Sequence, residues 1–88
     1  MIHFIVEGRV QGVNFRYITK LHADRLGLHG FVRNLSNGNV EIGVAGSQAE
    51  ADSLLNLLKK EPPPIQITSI STTHSSNKKS YTSFEIVR

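Results

Sequence analysis

Hydrophobic and polar residues alternate at the start of the chain. Ile2, Phe4 and Val6 stand against His3 and Glu7, the period of a half-buried strand. A glycine-punctuated loop follows, from Gly8 to Asn14. At Phe15 the period changes. Phe15, Ile18, Thr19, His22 and Leu26 fall within a sector of roughly 100° at about 3.6 residues per turn, which predicts a helix with one apolar stripe. Gly27 is its natural stop. Two further strands, Phe31 to Leu35 and Val40-Ile42-Val44, flank Ser36-Asn37-Gly38-Asn39. Asn-Gly between strand patterns predicts a hairpin with a type I′ turn, which needs positive φ at both central residues.

The second helix has the clearest signature. Ser47 and Glu50 form a capping box, and Ala51, Leu54, Leu55 and Leu58 follow at i, i+3, i+4 and i+7. Lys59 and Lys60 suit the negative end of its dipole, and Pro62-Pro63-Pro64 ends it. Ile65, Ile67 and Ile70 predict a fourth strand, fraying toward Ser75-Ser76-Asn77-Lys78-Lys79-Ser80, and Phe84, Ile86 and Val87 a last short one. The order is β-α-β-β-α-β with an extra C-terminal strand. It predicts a single α+β domain over 1–88, a split β-α-β sandwich whose antiparallel sheet carries both helices on one face.

Composition narrows what such a domain can do. A chain of 88 residues buries about 60–65% of the surface its unfolded form exposes, enough for one core. Without cysteine, neither disulfides nor thiolate metal sites are available, and the four histidines, His3, His22, His29 and His74, show no metal-ligand spacing. His22, in the middle of the stripe, reads as a partly buried, hydrogen-bonded side chain. No apolar run reaches the ~18 residues of a membrane span, and Met1-Ile2-His3-Phe4 does not open a signal peptide. A cytoplasmic protein without metal or cofactor is expected, and the lack of a coiled-coil pattern favours a monomer. The net charge of +3 is compatible with ordinary surface charge, or with an anionic partner such as a phosphate compound or nucleic acid.

The segment that points to chemistry is Gly8-Arg9-Val10-Gln11-Gly12-Val13-Asn14-Phe15-Arg16, which joins a strand to a helix N-terminus. Backbone N–H groups there lack intrahelical partners, the dipole favours an anion, and glycines let successive amides turn inward. It is neither a Walker A loop, for want of Lys-Ser/Thr, nor a dinucleotide fingerprint. Arg16 is the telling residue. A cation in the first turn opposes the dipole at a cost of about 0.3–1 kcal/mol, so the side chain either swings away to water, Glu7 or Glu41, or is held to grip phosphate. Arg9, near the end of a strand, reads as a solvated arginine.

The same string resembles the acylphosphatase signature: glycine-arginine-valine-glutamine-glycine-valine, one variable residue (here Asn14), phenylalanine, arginine. Gly27-Leu28-His29-Gly30-Phe31-Val32-Arg33-Asn34 and Asn37-Gly38-Asn39-Val40-Glu41 resemble that family's second block, in the expected order and spacing. The sequence departs from the pattern at Phe31, where tryptophan is usual, at Leu35, where threonine is common, and at Asn37, where an acidic residue or arginine often sits. The resemblance implies a ferredoxin-like fold and a metal-independent hydrolase that splits the carboxyl–phosphate bond of acyl phosphates. It also implies that Arg16 binds phosphate, that the amides of Gln11, Gly12, Val13, Asn14, Phe15 and Arg16 cradle its oxygens, and that Asn34 positions the attacking water. Inorganic phosphate, the product, is then a competitive inhibitor.

The chemistry is consistent with so spare a site. A carboxylate leaving group, whose acid has a pKa near ~4, needs no general acid. The loose transition state of phosphoryl transfer needs its equatorial oxygens clamped and a water in line. The alternative is a ferredoxin-like module that binds phosphate or nucleic acid without catalysis. RNA-binding domains of this architecture expose aromatics on their central strands. Here the open face is expected to carry His3, Ile5, Glu7, Glu41 and Gly43, with two acids and no aromatic, so no nucleic-acid partner is expected.

Overall fold

A computed structural model describes residues 1–76 and 80–88. The elements are β1 (Ile2–Arg9), α1 (Phe15–Arg25), β2 (Gly30–Asn34), β3 (Val40–Val44), α2 (Gln48–Lys59), β4 (Gln66–His74) and β5 (Phe84–Val87). The strands form one five-stranded sheet in the order β4-β1-β3-β2-β5. The first four strands pair antiparallel, whereas β5 adds to β2 in parallel, with Val32 opposite Ile86. The sheet is therefore mixed rather than wholly antiparallel. A terminal strand reached from β4, at the far edge, enters beside β2 with the direction its crossover gives it.

The two helices cover one face. Ile2, Phe4 and Val6 of β1, Val32 of β2 and Val40, Ile42 and Val44 of β3 pack with Phe15 and Ala23 of α1 and with Ala51, Leu54, Leu55 and Leu58 of α2. α2 forms as its sequence dictates. Ser47 Oγ accepts from the Glu50 amide at 3.1 Å, Glu50 Oε1 accepts from the Ser47 amide at 2.9 Å, and all four periodic positions are buried. In α1 the buried residues are Phe15, Thr19 and Ala23, while Leu26 has left the stripe and lies exposed. The cause is the helix stop. Gly27, at φ 70°, donates to the Asp24 carbonyl and Leu28 to that of Ala23, a Schellman closure that turns the chain before Leu26 can face the core.

Two features differ from the sequence pattern. β1 runs on through Arg9 by way of a bulge between Glu7 and Gly8. A side chain at Gly8 would strike the Gln66 carbonyl. The β2–β3 turn is not type I′: Gly38 has positive φ and Asn37 does not. Leu35 and Asn39 close the loop, with the Gly38 amide donating to the Leu35 carbonyl at 3.2 Å, the arrangement of a three-residue hairpin with a left-handed last residue. β4 pairs with β1 from Gln66 to His74 and ends where the pattern predicts fraying toward residues 75–80, of which 77–79 lie outside the described residues.

The open face differs as well. Phe31 lies there, over Gly43 of β3, with its ring 5.9 Å from His3 and 5.8 Å from Tyr81. The face therefore has aromatics after all. The expectation considered only β1 and β3, and Phe31 and Tyr81 come from β2 and the segment before β5. Phe31 is only 8% exposed and offers no platform for a base.

Candidate active site

The Gly8–Arg16 segment carries β1 to its end at Arg9 and returns to the core at Phe15, which is buried at the start of α1. Between them Gly12 (φ 73°) and Asn14 (φ 63°) both take left-handed backbone, which glycine allows freely and asparagine more readily than most residues. Asn14 caps α1 with its backbone, its carbonyl accepting from Ile18 at 3.0 Å, while its side chain makes no capping bond. No acidic residue stands in the first turn. The N-terminal amides of α1 thus keep their positive end turned to the loop, and Arg16 adds a cation to it.

A cavity of about 330 Å³ opens at this point, lined by Val10, Gln11, Gly12, Asn14, Phe15, Arg16, Tyr17, Asn34 and Ile86. Five of the six expected loop residues line it. Val13 does not, and packs partly buried against the core. Arg9 is exposed at the end of β1, outside the lining, as its position suggested. Arg16 makes no hydrogen bond or ion pair among the described residues. Its two possible acidic partners are taken: Glu7 accepts from Ser69 Oγ at 2.7 Å, and Glu41 is held by His3 at 3.1 Å and Arg33 at 2.6 Å. The cavity thus presents an unpaired guanidinium beside uncapped amides, donors that suit an anion.

Asn34, at the end of β2, reaches the same cavity. Its Oδ1 is buried without a hydrogen-bond partner among the described residues. A buried amide oxygen without a donor is costly, and a donor entering the cavity, such as water, would satisfy it. The side chain of Gln11 explains how loop and strand keep their distance. Its Nε2 donates to the carbonyls of Leu35 and Asn39, both at 2.8 Å, and so bolts the loop to the hairpin next to Asn34. Sequence reasoning gave Gln11 only an amide in the cradle. Its side-chain role rests on partners 24 and 28 residues away, and no local pattern announces it.

The cavity and its two unmet groups, Arg16 and Asn34 Oδ1, are the features the acylphosphatase resemblance singles out, and the comparisons agree over the whole fold. The family model for acylphosphatase matches residues 2–86. The chain belongs to the acylphosphatase family. It is 37% identical over 83 residues to an acylphosphatase of Bordetella parapertussis, covering 94% of this chain and 88% of the relative. The crystal structure of acylphosphatase from Bacillus subtilis superposes with a TM-score of 0.86 at 38% identity, covering both chains completely. A third match is to T. kodakarensis HypF, with a TM-score of 0.87 and 28% identity. It spans 99% of this chain but 12% of that one, so the acylphosphatase fold there is part of a much longer protein.

The histidines and carboxylates stand apart from the cavity. His22 is partly buried with Nε2 2.8 Å from Glu61, as its place in the helix suggested, and His74 Nε2 lies 3.0 Å from Gln48 Oε1. Among the described residues no cluster of three or more histidine, aspartate or glutamate side chains could hold a metal, and no helix is long and apolar enough to cross a membrane.

Proposed function

We propose that this acylphosphatase-family chain hydrolyses acyl phosphates by direct in-line attack of water, without a metal. The observation that carries the reading is the buried, unpartnered Asn34 Oδ1 in the same cavity as Arg16 and the amides at the start of α1. Arg16 and the amides from Gln11 to Arg16 hold the phosphoryl oxygens and take up their charge in the transition state. Asn34 accepts a hydrogen bond from the attacking water and aims its oxygen at phosphorus. The water oxygen bonds to phosphorus as the P–O bond to the acyl group breaks. The electron pair leaves with the carboxylate, and both water protons remain on the departing inorganic phosphate.

An amide cannot take a proton, so the phosphoryl oxygens themselves receive it. A carboxylate needs no acid to leave, and no carboxyl or imidazole lines the cavity. The charge that a metal would otherwise neutralise is met by Arg16 and the amides, which supports metal independence. Arg16, Asn34 and the loop come from one chain, which supports a monomer, and a cytoplasmic location belongs to the same proposal. Product phosphate, occupying the loop, competes with substrate.

The test is hydrolysis of benzoyl phosphate in the presence of a chelator, by the wild-type chain and by Asn34→Ala. The wild type should turn over in chelator. The variant should lose most of its turnover, on the scale of ~10²–10³ for one preorganised group, while inorganic phosphate still inhibits it competitively. Activity that vanishes in chelator and returns with a divalent ion would overturn the metal-free mechanism. Near-normal turnover by Asn34→Ala would remove Asn34 from it.

A further inference from the structure

Two side chains at the cavity carry no charge and expose apolar surface to it. Tyr17, next to Arg16 on α1, is 62% exposed, and Ile86, on β5, is 41% exposed; both line the cavity. Among the described residues Leu26 is the other large hydrophobic side chain exposed to this extent, and it caps the opposite end of α1. Single exposed hydrophobics are ordinary on a protein surface. Two that come from separate elements and meet at one polar cavity are a wall, and the core does not need either of them.

Strand register gives the wall its place. Ile86 stands opposite Val32, and Asn34 lies two residues farther along β2, so Asn34 and Ile86 share a face as diagonal neighbours. β2 is inside the sheet and β5 is its edge, so the line from Asn34 to Ile86 runs from the interior to the rim. In-line displacement puts the attacking water and the departing carboxylate on opposite sides of phosphorus. With water on Asn34, the acyl group extends toward the open side, where Tyr17 and Ile86 stand. Arg16 is the cation in the lining and is committed to the phosphoryl group, so a second negative charge on the acyl portion would find no partner there.

We propose that Tyr17 and Ile86 form an acyl subsite that selects acyl phosphates bearing an aromatic or branched apolar group over small or anionic ones. The subsite rests on the hydrolase reading above, and one series of measurements separates the two. kcat/KM is measured for benzoyl phosphate and acetyl phosphate with wild type, Tyr17→Ala, Ile86→Ala and Tyr17→Phe, together with the inhibition constant of inorganic phosphate. Tyr17→Ala and Ile86→Ala should each lower kcat/KM for benzoyl phosphate about 5- to 10-fold, through KM, as expected for losing roughly 40–55 Å² of apolar contact. Acetyl phosphate should change less than about 2-fold, since a methyl group offers little such area. Phosphate inhibition should stay constant, and Tyr17→Phe should keep the benzoyl preference.

Equal losses on both substrates, or an unchanged benzoyl rate in Tyr17→Ala, would overturn the subsite while leaving hydrolysis intact. Should Ile86→Ala fail to fold, Tyr17→Ala, on a solvent-facing helical position, decides alone. A wild-type chain that hydrolyses neither compound would defeat the hydrolase reading and the subsite with it.

Discussion

Arg16 stands where a helix least favours a cation, and the surroundings make no attempt to neutralise it. An arginine kept for stability would be paired, and the two carboxylates the sequence offers it have other partners, Glu7 with Ser69 and Glu41 with His3 and Arg33. The proposed role and a structural one therefore predict opposite behaviour on substitution. Arg16→Gln should fold normally, with stability unchanged or raised by up to ~1 kcal/mol as the repulsion from the helix end is relieved. Its turnover of benzoyl phosphate should fall by at least ~10², and inorganic phosphate should inhibit it more weakly. A denaturant unfolding curve and a rate on the same preparation make the comparison. A folded variant that keeps more than about a tenth of wild-type turnover would defeat the assignment, and lower stability with activity tracking the folded fraction would mark Arg16 as structural. Arg16 and Asn34 stood out in the sequence because a cation in a first helical turn is locally odd and because both sit in a recognisable signature, and the structure brings both to one cavity. The side-chain bridge of Gln11 and the placement of Phe31 did not stand out, since each depends on which strand lies beside which.

At the scale of elements, legibility followed how local the forces are. α2 was readable almost to the residue because its cap, its apolar stripe and its stop all lie within its own sequence. β4 was readable as a strand from Ile65, Ile67 and Ile70, but not in extent, because it is an edge strand held by backbone bonds to β1, most of its side chains are exposed, and backbone pairing leaves no mark on residue type. The hairpin falls between. Asn37-Gly38 announced a turn in the right place, but the closing pair Leu35–Asn39 fixed the loop length and hence its type. The readable cap also carries a pH signature. The Glu50 carboxyl is held below its ordinary value, first by the backbone amide of Ser47 and then by the Ser47 side chain. A carboxyl whose folded pKa is lowered stabilises the fold above its unfolded pKa, and that contribution is lost as pH falls through the folded value. Glu50→Gln retains a capping partner for Ser47 but does not titrate. The stability advantage of wild type over Glu50→Gln should therefore be full at neutral pH and shrink as the pH falls below about 4.5, as read from urea unfolding at a series of pH values. An advantage that grows with acid, or does not change, would mean the box is not formed in solution.

For the whole molecule, the site is a product of the fold rather than of any one segment. The cavity draws on the loop after β1, the start of α1, the end of β2 and the terminal strand β5, and Gln11 ties two of these together across the chain. None of those relations survives unfolding, so a ligand of the cavity binds the folded chain and not the unfolded one. Phosphate should then stabilise the protein by mass action, by about 2.7 kcal/mol at a hundred times its dissociation constant. For a domain of this size that corresponds to a rise in Tm of roughly 10–20 °C. A chain of net charge +3 can also gain from any anion through screening, so sodium chloride at matched ionic strength is the necessary control. The specific part is the difference between the two salts, and it should grow with the logarithm of phosphate concentration once the site is saturated. In Arg16→Gln the difference should shrink sharply while the response to chloride stays the same, because the variant loses the grip on phosphate and little of the general charge. The measurement is thermal unfolding of both proteins across a phosphate series in the presence of chelator. Equal shifts in phosphate and chloride, or a phosphate shift as large in Arg16→Gln as in wild type, would show that the anion does not bind where the loop, the helix and Arg16 converge.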